Sequence, residues 1–284
     1  MKFLSDLQEK AIRAKTCLLR VDFNVEDAEL KKMKGKIPFR ARAILPTIKF
    51  LRERGAGIVI LSHRGRPISD IRYQKSEIRK FTLEPFAKTL SKLLKQPVQF
   101  FSLEVPQSNL TRLSLVRLKK RVEGAPAGSI FLLENLRFLK GEIENDKRFG
   151  RQLASLGTFY VNDAFGVSHR ADASVEAITH FLPSYAGLHL EKELESLNKL
   201  MKKAKRPLVV ILGGSKTHDK LPLIKSLRNK ADYFLLGGGI ANTFFAAQGL
   251  PIGDSIYDRQ SITQAKKFLR SRKIILPEDT VVQN

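Results

Sequence analysis

GIVILSHRGRP, residues 57–67, sets a short apolar run against a polar, glycine-containing loop. The run Gly57–Leu61 is rich in β-branched residues and too short for a helix, so it reads as a buried strand. Ser62, His63, Arg64, Gly65 and Arg66 then leave from its carboxyl end. Strand-like runs recur at Cys17–Val21, Val98–Leu103, Ile130–Leu133, Phe159–Asn162, Leu208–Leu212, Tyr233–Leu236 and Ile274–Leu276. Between them lie helical patterns. Pro46–Arg54 stops at Gly55, and Ala241–Gln248 stops at Gly249. Glu84–Leu94 has Thr82 or Leu83 near its cap and Pro85 in its first turn. Strands alternating with helices predict an α/β protein of doubly wound, Rossmann-like parallel sheets, with ligands outside the carboxyl ends of the strands.

After Phe181-Leu182-Pro183, the stretch Ser184–Met201 has few breakers and reads as one long helix. A basic segment and Pro207 follow before the next strand. This predicts a first domain over 1–183, a connecting helix over 184–203 and a second domain over 204–284. The second domain ends on strand-like residues with no helix behind them, so its sheet is expected to be incomplete. The basic segment Gln107–Gly124 is expected to be a peripheral insert. No internal repeat or low-complexity tract is present.

The 284 residues hold 51 Lys and Arg against 28 Asp and Glu, a formal charge of +23. Such a charge suits a nucleic-acid binder or a protein for polyanionic metabolites. The basic clusters at Lys31–Lys36, Arg117–Arg121, Lys199–Arg206 and Lys266–Lys273 are scattered, mostly at spacings of solvated faces. No zinc-finger spacing, RNP-like aromatic pattern or basic zipper accompanies them, so no nucleic-acid partner is expected. Cys17 stands alone, which excludes an intramolecular disulfide and favours a reducing compartment. No signal-peptide pattern or bilayer-length apolar run is present, and the expectation is a soluble, cytoplasmic protein without membrane partners.

Four strand ends carry polar groups. Asp22 and Asn24 are two apart after the first strand and so share a face, suited to accepting from substrate hydroxyls or orienting arginines. The same residues also suit an Asx-capped turn. The loop 62–67 offers guanidinium forks matched to carboxylate or phosphate oxygens, and Gly65 permits close backbone approach. His63 reads either as an anion donor or as a satisfied surface histidine. Glu134-Asn135-Leu136-Arg137 and the segment from Asn162 to Arg170 complete the set. Parallel strands bring such ends to one sheet edge, which makes an arginine-built anion site.

RVDFN (20–24), the stretch Arg40–Ile48, SHRGRP (62–67), LLENLRF (132–138) and YVNDAFGVSHRADAS (160–174) resemble the phosphoglycerate kinase family in order and spacing. FLPSYAG, LEKELESL, ILGGSKTHDK (211–220) and LLGGGIANTF (235–244) continue the match. The resemblance implies a two-domain, hinge-bending and usually monomeric kinase. Its members move phosphate between 1,3-bisphosphoglycerate and ADP, giving 3-phosphoglycerate and ATP, with Mg2+ carried as MgADP or MgATP. By the matching positions, Asp22, Phe23 and Asn24 would meet the glycerate. Arg40, His63, Arg64, Gly65, Arg66, Arg137 and Arg170 would hold its phosphate and carboxylate. Arg40, Lys216 and Lys220 would serve the transferring phosphoryl group. Gly213, Gly214, Gly237, Gly238 and Gly239 would line the nucleotide site with those lysines. Ser215, Thr217 and His218 depart from the commoner residues of that loop, with little mechanistic consequence expected. Two alternatives stand beside the kinase. One is a fragment that binds 3-phosphoglycerate without phosphorylating ADP, and the other a basic nucleic-acid-binding protein on the same fold.

Overall fold

The computed structural model describes residues 1–25, 39–65, 67, 79–102 and 112–279. The chain separates into two compact units, Met1–Leu194 and Glu195–Asn284.

The first unit contains β1 (Thr16–Arg20), α1 (Phe39–Ala43), α2 (Leu45–Glu53), β2 (Gly57–Leu61), α3 (Glu84–Leu94) and β3 (Val98–Phe101). It continues through α4 (Arg112–Glu123), β4 (Ile130–Leu133), α5 (Lys140–Ile143), α6 (Lys147–Ala154), β5 (Phe159–Asn162) and β6 (Ser184–Ala186). The helix α7 (Leu188–Lys203) crosses the boundary between units. The six strands form one parallel sheet in the order β3-β4-β2-β1-β5-β6. Alternate residues face opposite sides. Leu19, Val21, Ile58, Ile60, Ile130 and Leu132 pack with Ile44, Ile48, Leu51 and Phe86 on one side. Leu18, Val59, Leu61, Phe131, Leu133 and Tyr160 pack with Phe149 and Leu153 on the other. Both faces are covered, as a parallel sheet requires. Register matters most for function. Arg20 lies level with Leu61 and with Asn162, so the loops after β1, β2 and β5 leave side by side.

Two expectations need correction. Ser184–Ala186 is not the start of the long helix but an edge strand, pairing in parallel with Tyr160–Asn162. Gly187 donates to the Asn162 carbonyl at 2.8 Å and keeps the chain in the sheet to that point. The helix starts where its first amides find acceptors: Leu188 donates to Thr47 Oγ1 at 3.1 Å, and His189 and Leu190 to Asp163 Oδ1 at 2.9 and 3.0 Å. The segment around α4 is not peripheral either. It is the crossover between the paired strands β3 and β4, and it buries Leu118 and Val122 against Phe131 and Leu133.

Close packing of α6 depends on Gly150. A Cβ there would lie 2.8 Å from Ala177 Cβ and 3.0 Å from the Ala177 carbonyl carbon. Gly150→Ala is therefore expected to destabilise the first unit by about 1–3 kcal/mol through overpacking. Urea unfolding checks this, and an unchanged midpoint would show that the helix simply shifts.

The second unit holds β7 (Val209–Leu212), α8 (Thr217–Leu227), β8 (Tyr233–Leu236), α9 (Gly238–Gln248), α10 (Ile262–Leu269) and β9 (Ile274–Ile275). Its strands form a parallel sheet in the order β7-β8-β9. One face packs Leu212, Phe234 and Leu236 against Leu221, Ile224, Ile240, Phe244 and Ala265. On the other face, Val209 is 42%, Ile211 76% and Tyr233 45% exposed.

Candidate functional site

The carboxyl edge of the large sheet gathers the arginines. Asp22 pairs with Arg40, which comes from α1. Asn24 Oδ1 accepts the Gly65 amide at 2.9 Å, and the Gly65 carbonyl accepts from Arg137 Nη1 at 3.1 Å. The loops after β1, β2 and β4 are thus tied around one backbone position. Phe23 stacks on Phe86 at 4.5 Å in the core, so what it offers the site is backbone. Its amide donates to Ser62 Oγ at 3.0 Å.

His63 is fully buried. Burial, followed by the charges of Arg20, Arg137, Arg170 and Arg40, holds its pKa far below the ordinary histidine value. A neutral ring at neutral pH follows. Its Nε2 and the Nε of Arg137 are buried and have no hydrogen-bond partner among the described residues. Buried donors left unpaired cost about 1–3 kcal/mol each. A small anion with several oxygens would satisfy both. Arg137 is anchored on its far side by Asp172, 3.1 Å away, with both side chains buried.

Arg64 has another occupation. Its guanidinium donates to the carbonyls of Val25 at 3.0 Å and Lys80 at 2.6 Å, tying the β2 loop to its surroundings. Arg66 lies outside the described residues. Asn135 holds the neighbouring loops in register. Its Oδ1 accepts the amides of Arg64 and Arg137, each at 3.1 Å, and its Nδ2 donates to the Arg64 carbonyl at 2.7 Å. Glu134 accepts from the Leu83 amide at 2.9 Å and the Thr82 hydroxyl at 2.7 Å, and so orders the start of α3.

In the second unit, two glycine turns lie back to back. Gly214 (φ +111°) and Gly238 (φ +58°) adopt backbone conformations that favour glycine. The Ile240 amide donates to the Gly214 carbonyl at 3.0 Å, and the Gly237 amide to the Leu212 carbonyl at 2.9 Å. Lys216 and Gly237 cap α8 and α9, so two helix N-termini open beside the same loops. Lys216 is exposed, and Lys220 sits one turn along α8. Amide dipoles and two lysines make this an electropositive corner. The unusual loop residues are employed here. Thr217 Oγ1 contacts Thr243 Oγ1 at 2.9 Å, and His218 Nδ1 lies 2.9 Å from Asp258 Oδ2. Burial raises the Asp258 carboxyl, and bonds from His218 and Ser261 outweigh it, bringing the pKa down to about 2.

Sequence reasoning missed the supporting residues Arg20, Glu142, Asp172 and Ser174, together with Asp258. Arg20, Asp172 and Ser174 stand inside the quoted motifs, which was the available signal. Among the described residues no group of three His, Cys, Asp or Glu could hold a metal ion, and no helix is long and apolar enough to cross a membrane.

A family model described as phosphoglycerate kinase matches residues 6–284. A phosphoglycerate kinase of Dictyoglomus turgidum is 38% identical over 99% of this chain and 67% of its own length. One of Bartonella henselae is 40% identical over 97% of this chain and 66% of its own. Among solved structures, phosphoglycerate kinase from Coxiella burnetii superimposes with a TM-score of 0.72 at 33% identity, over 96% of this chain and 65% of that one. The enzyme from Pyrococcus horikoshii gives 0.77 at 29% identity, over 98% of this chain and 67% of its own. The chain therefore spans about two thirds of the length of these relatives. Over that span it belongs to the phosphoglycerate kinase family.

Proposed function

We propose that the first unit holds 3-phosphoglycerate or its acyl phosphate, 1,3-bisphosphoglycerate, and that the second holds the phosphates of MgADP or MgATP. The reaction is phosphoryl transfer between them. The observation that carries this reading is the pair of buried donors on His63 and Arg137 that have no partner among the described residues, enclosed by further arginines. Donors fixed before the ligand arrives need no reorganisation, and phosphoryl transfer depends chiefly on such positioning and charge neutralisation. Arg40 is half exposed and offers charge to the transferring group while Asp22 fixes its direction. Lys216 and Lys220 do the same for the nucleotide phosphates, and Mg2+ arrives with the nucleotide as part of the substrate. On the family reading the chain works in the cytoplasm as a monomer.

Titration calorimetry with 3-phosphoglycerate, alongside a coupled assay supplying MgATP, tests the two halves separately. Saturable binding is expected, with glycerate binding at least about tenfold more weakly because the charge-assisted bonds to phosphate are missing. No difference between the two ligands would refute the first half. Retained 3-phosphoglycerate binding without turnover would leave a substrate-binding protein in place of a kinase.

A further inference from the structure

Arg20 ends β1 fully buried, directly behind the ligand face of His63. All three of its nitrogens are engaged. Nε donates to Ser174 Oγ at 2.8 Å, Nη1 to the Val21 carbonyl, and Nη2 meets His63 Nδ1 at 2.8 Å. A guanidinium has hydrogens but no free acceptor, so Nδ1 is the acceptor of that bond. The ring proton must then sit on Nε2, the atom that is buried without a partner among the described residues. An imidazolium in this position would set two donors against each other.

The charge of Arg20 is answered from the opposite side. Glu142 is fully buried, and its two oxygens accept from Ser174 Oγ at 2.5 Å and the Ser174 amide at 2.9 Å. The single hydroxyl hydrogen of Ser174 goes to Glu142, which leaves its oxygen to accept from Arg20. A continuous chain of hydrogen bonds links the Glu142 carboxyl through Ser174 and Arg20 to the imidazole, with Arg20 donating in both directions. Burial raises the Glu142 carboxyl, while the Arg20 charge and the Ser174 bonds favour its ionised form.

We infer that Arg20 is a positioning residue: it fixes His63 in the Nε2–H tautomer, presenting a neutral donor to the substrate anion, and Glu142 holds Arg20 in place through Ser174. This rests on the reading of the pocket as a 3-phosphoglycerate site. The role differs from simple attraction of an anion by one more positive charge, and three variants separate the two.

The first measurement is the nitrogen-15 spectrum of the histidine ring in the ligand-free chain. It is expected to show His63 with its proton on Nε2, and a proton on Nδ1 would overturn the inference without any variant. Arg20→Met cannot donate and is expected to populate both tautomers and weaken 3-phosphoglycerate binding at least tenfold. Arg20→Gln keeps an amide donor but no charge, and should recover the tautomer and part of the affinity. Equal losses in the methionine and glutamine variants, with an unchanged tautomer, would mean that only charge matters. Ser174→Ala leaves the Arg20–His63 bond in place and is expected to loosen the tautomer less than Arg20→Met. A greater loosening would count against the proposed order of the chain. If the unsubstituted chain shows the fixed tautomer but binds no 3-phosphoglycerate, the substrate reading fails, and the role of Arg20 is decided by the ring spectrum of Arg20→Met.

Discussion

Arg137→Met is expected to weaken 3-phosphoglycerate binding by about 100-fold or more and to destabilise the first unit by about 3–5 kcal/mol. Two separate losses lie behind these figures. The first is a donor aimed at the ligand, since Arg137 Nε is buried with no partner among the described residues. Charge-assisted bonds to phosphate or carboxylate are the strong ones, and each tenfold in affinity corresponds to about 1.4 kcal/mol. The second is a partner for Asp172, whose side chain is only 7% exposed and lies 3.1 Å from Arg137 Nη2. Methionine keeps roughly the volume, so the stability loss reports an orphaned buried carboxylate more than a cavity. Adding Asp172→Asn should therefore restore most of the stability and none of the binding. Calorimetry and guanidinium unfolding of the single and double variants check both halves. A double variant that regained affinity would mean that Arg137 acts only as a structural cation, as the Arg64 guanidinium does toward Val25 and Lys80.

What was legible in the sequence, and what was not, divides along range. Gly57–Leu61 followed by a polar loop could be read locally, because an apolar run and its terminating residues are neighbours in the chain. The same holds for Glu84–Leu94, whose bounds match the observed helix. Arg20 could not be read that way. It looks like a polar residue at a strand end, yet it is buried because Ser174, 154 positions away, and His63, 43 positions away, receive its hydrogens. Ser184–Ala186 fits a helix by composition, and only its pairing with β5 makes it a strand. The motifs pointed to a candidate anion site, but its inward side consists of long-range hydrogen bonds that periodicity cannot register. Those bonds decide which arginines keep an open donor, as Arg137 does at Nε among the described residues, and which, like Arg64, hold the loops.

Asp163→Ala is expected to cost about 3 kcal/mol, while Asp163→Asn should be tolerated and should change the pH dependence of stability in a defined direction. Asp163 follows β5, is 1% exposed, and accepts the amides of His189 and Leu190 at the start of α7 on Oδ1. The Thr47 side chain also favours the ionised form of this carboxyl. Alanine strands these donors in the interior, whereas asparagine keeps Oδ1 and replaces only Oδ2, which has no partner among the described residues. Two effects compete over the charge. The helix N-terminus favours the carboxylate, and burial opposes it. Burial wins: the pKa is raised, with Thr47 and the bonds from Leu190 and His189 pulling the other way. As pH rises past about 4, the unfolded carboxyl ionises first. The folded state then binds more protons than the unfolded state, so stability falls until the raised folded pKa is passed. Asparagine does not titrate. The stability of Asp163→Asn minus that of the native chain should thus increase with pH across that window, and then level off. Glu142, also raised, is present in both proteins and cancels from the difference. Urea unfolding of the pair between about pH 3.5 and 7 measures it directly. A difference that shrinks with rising pH would show that the helix terminus, rather than burial, governs this carboxyl.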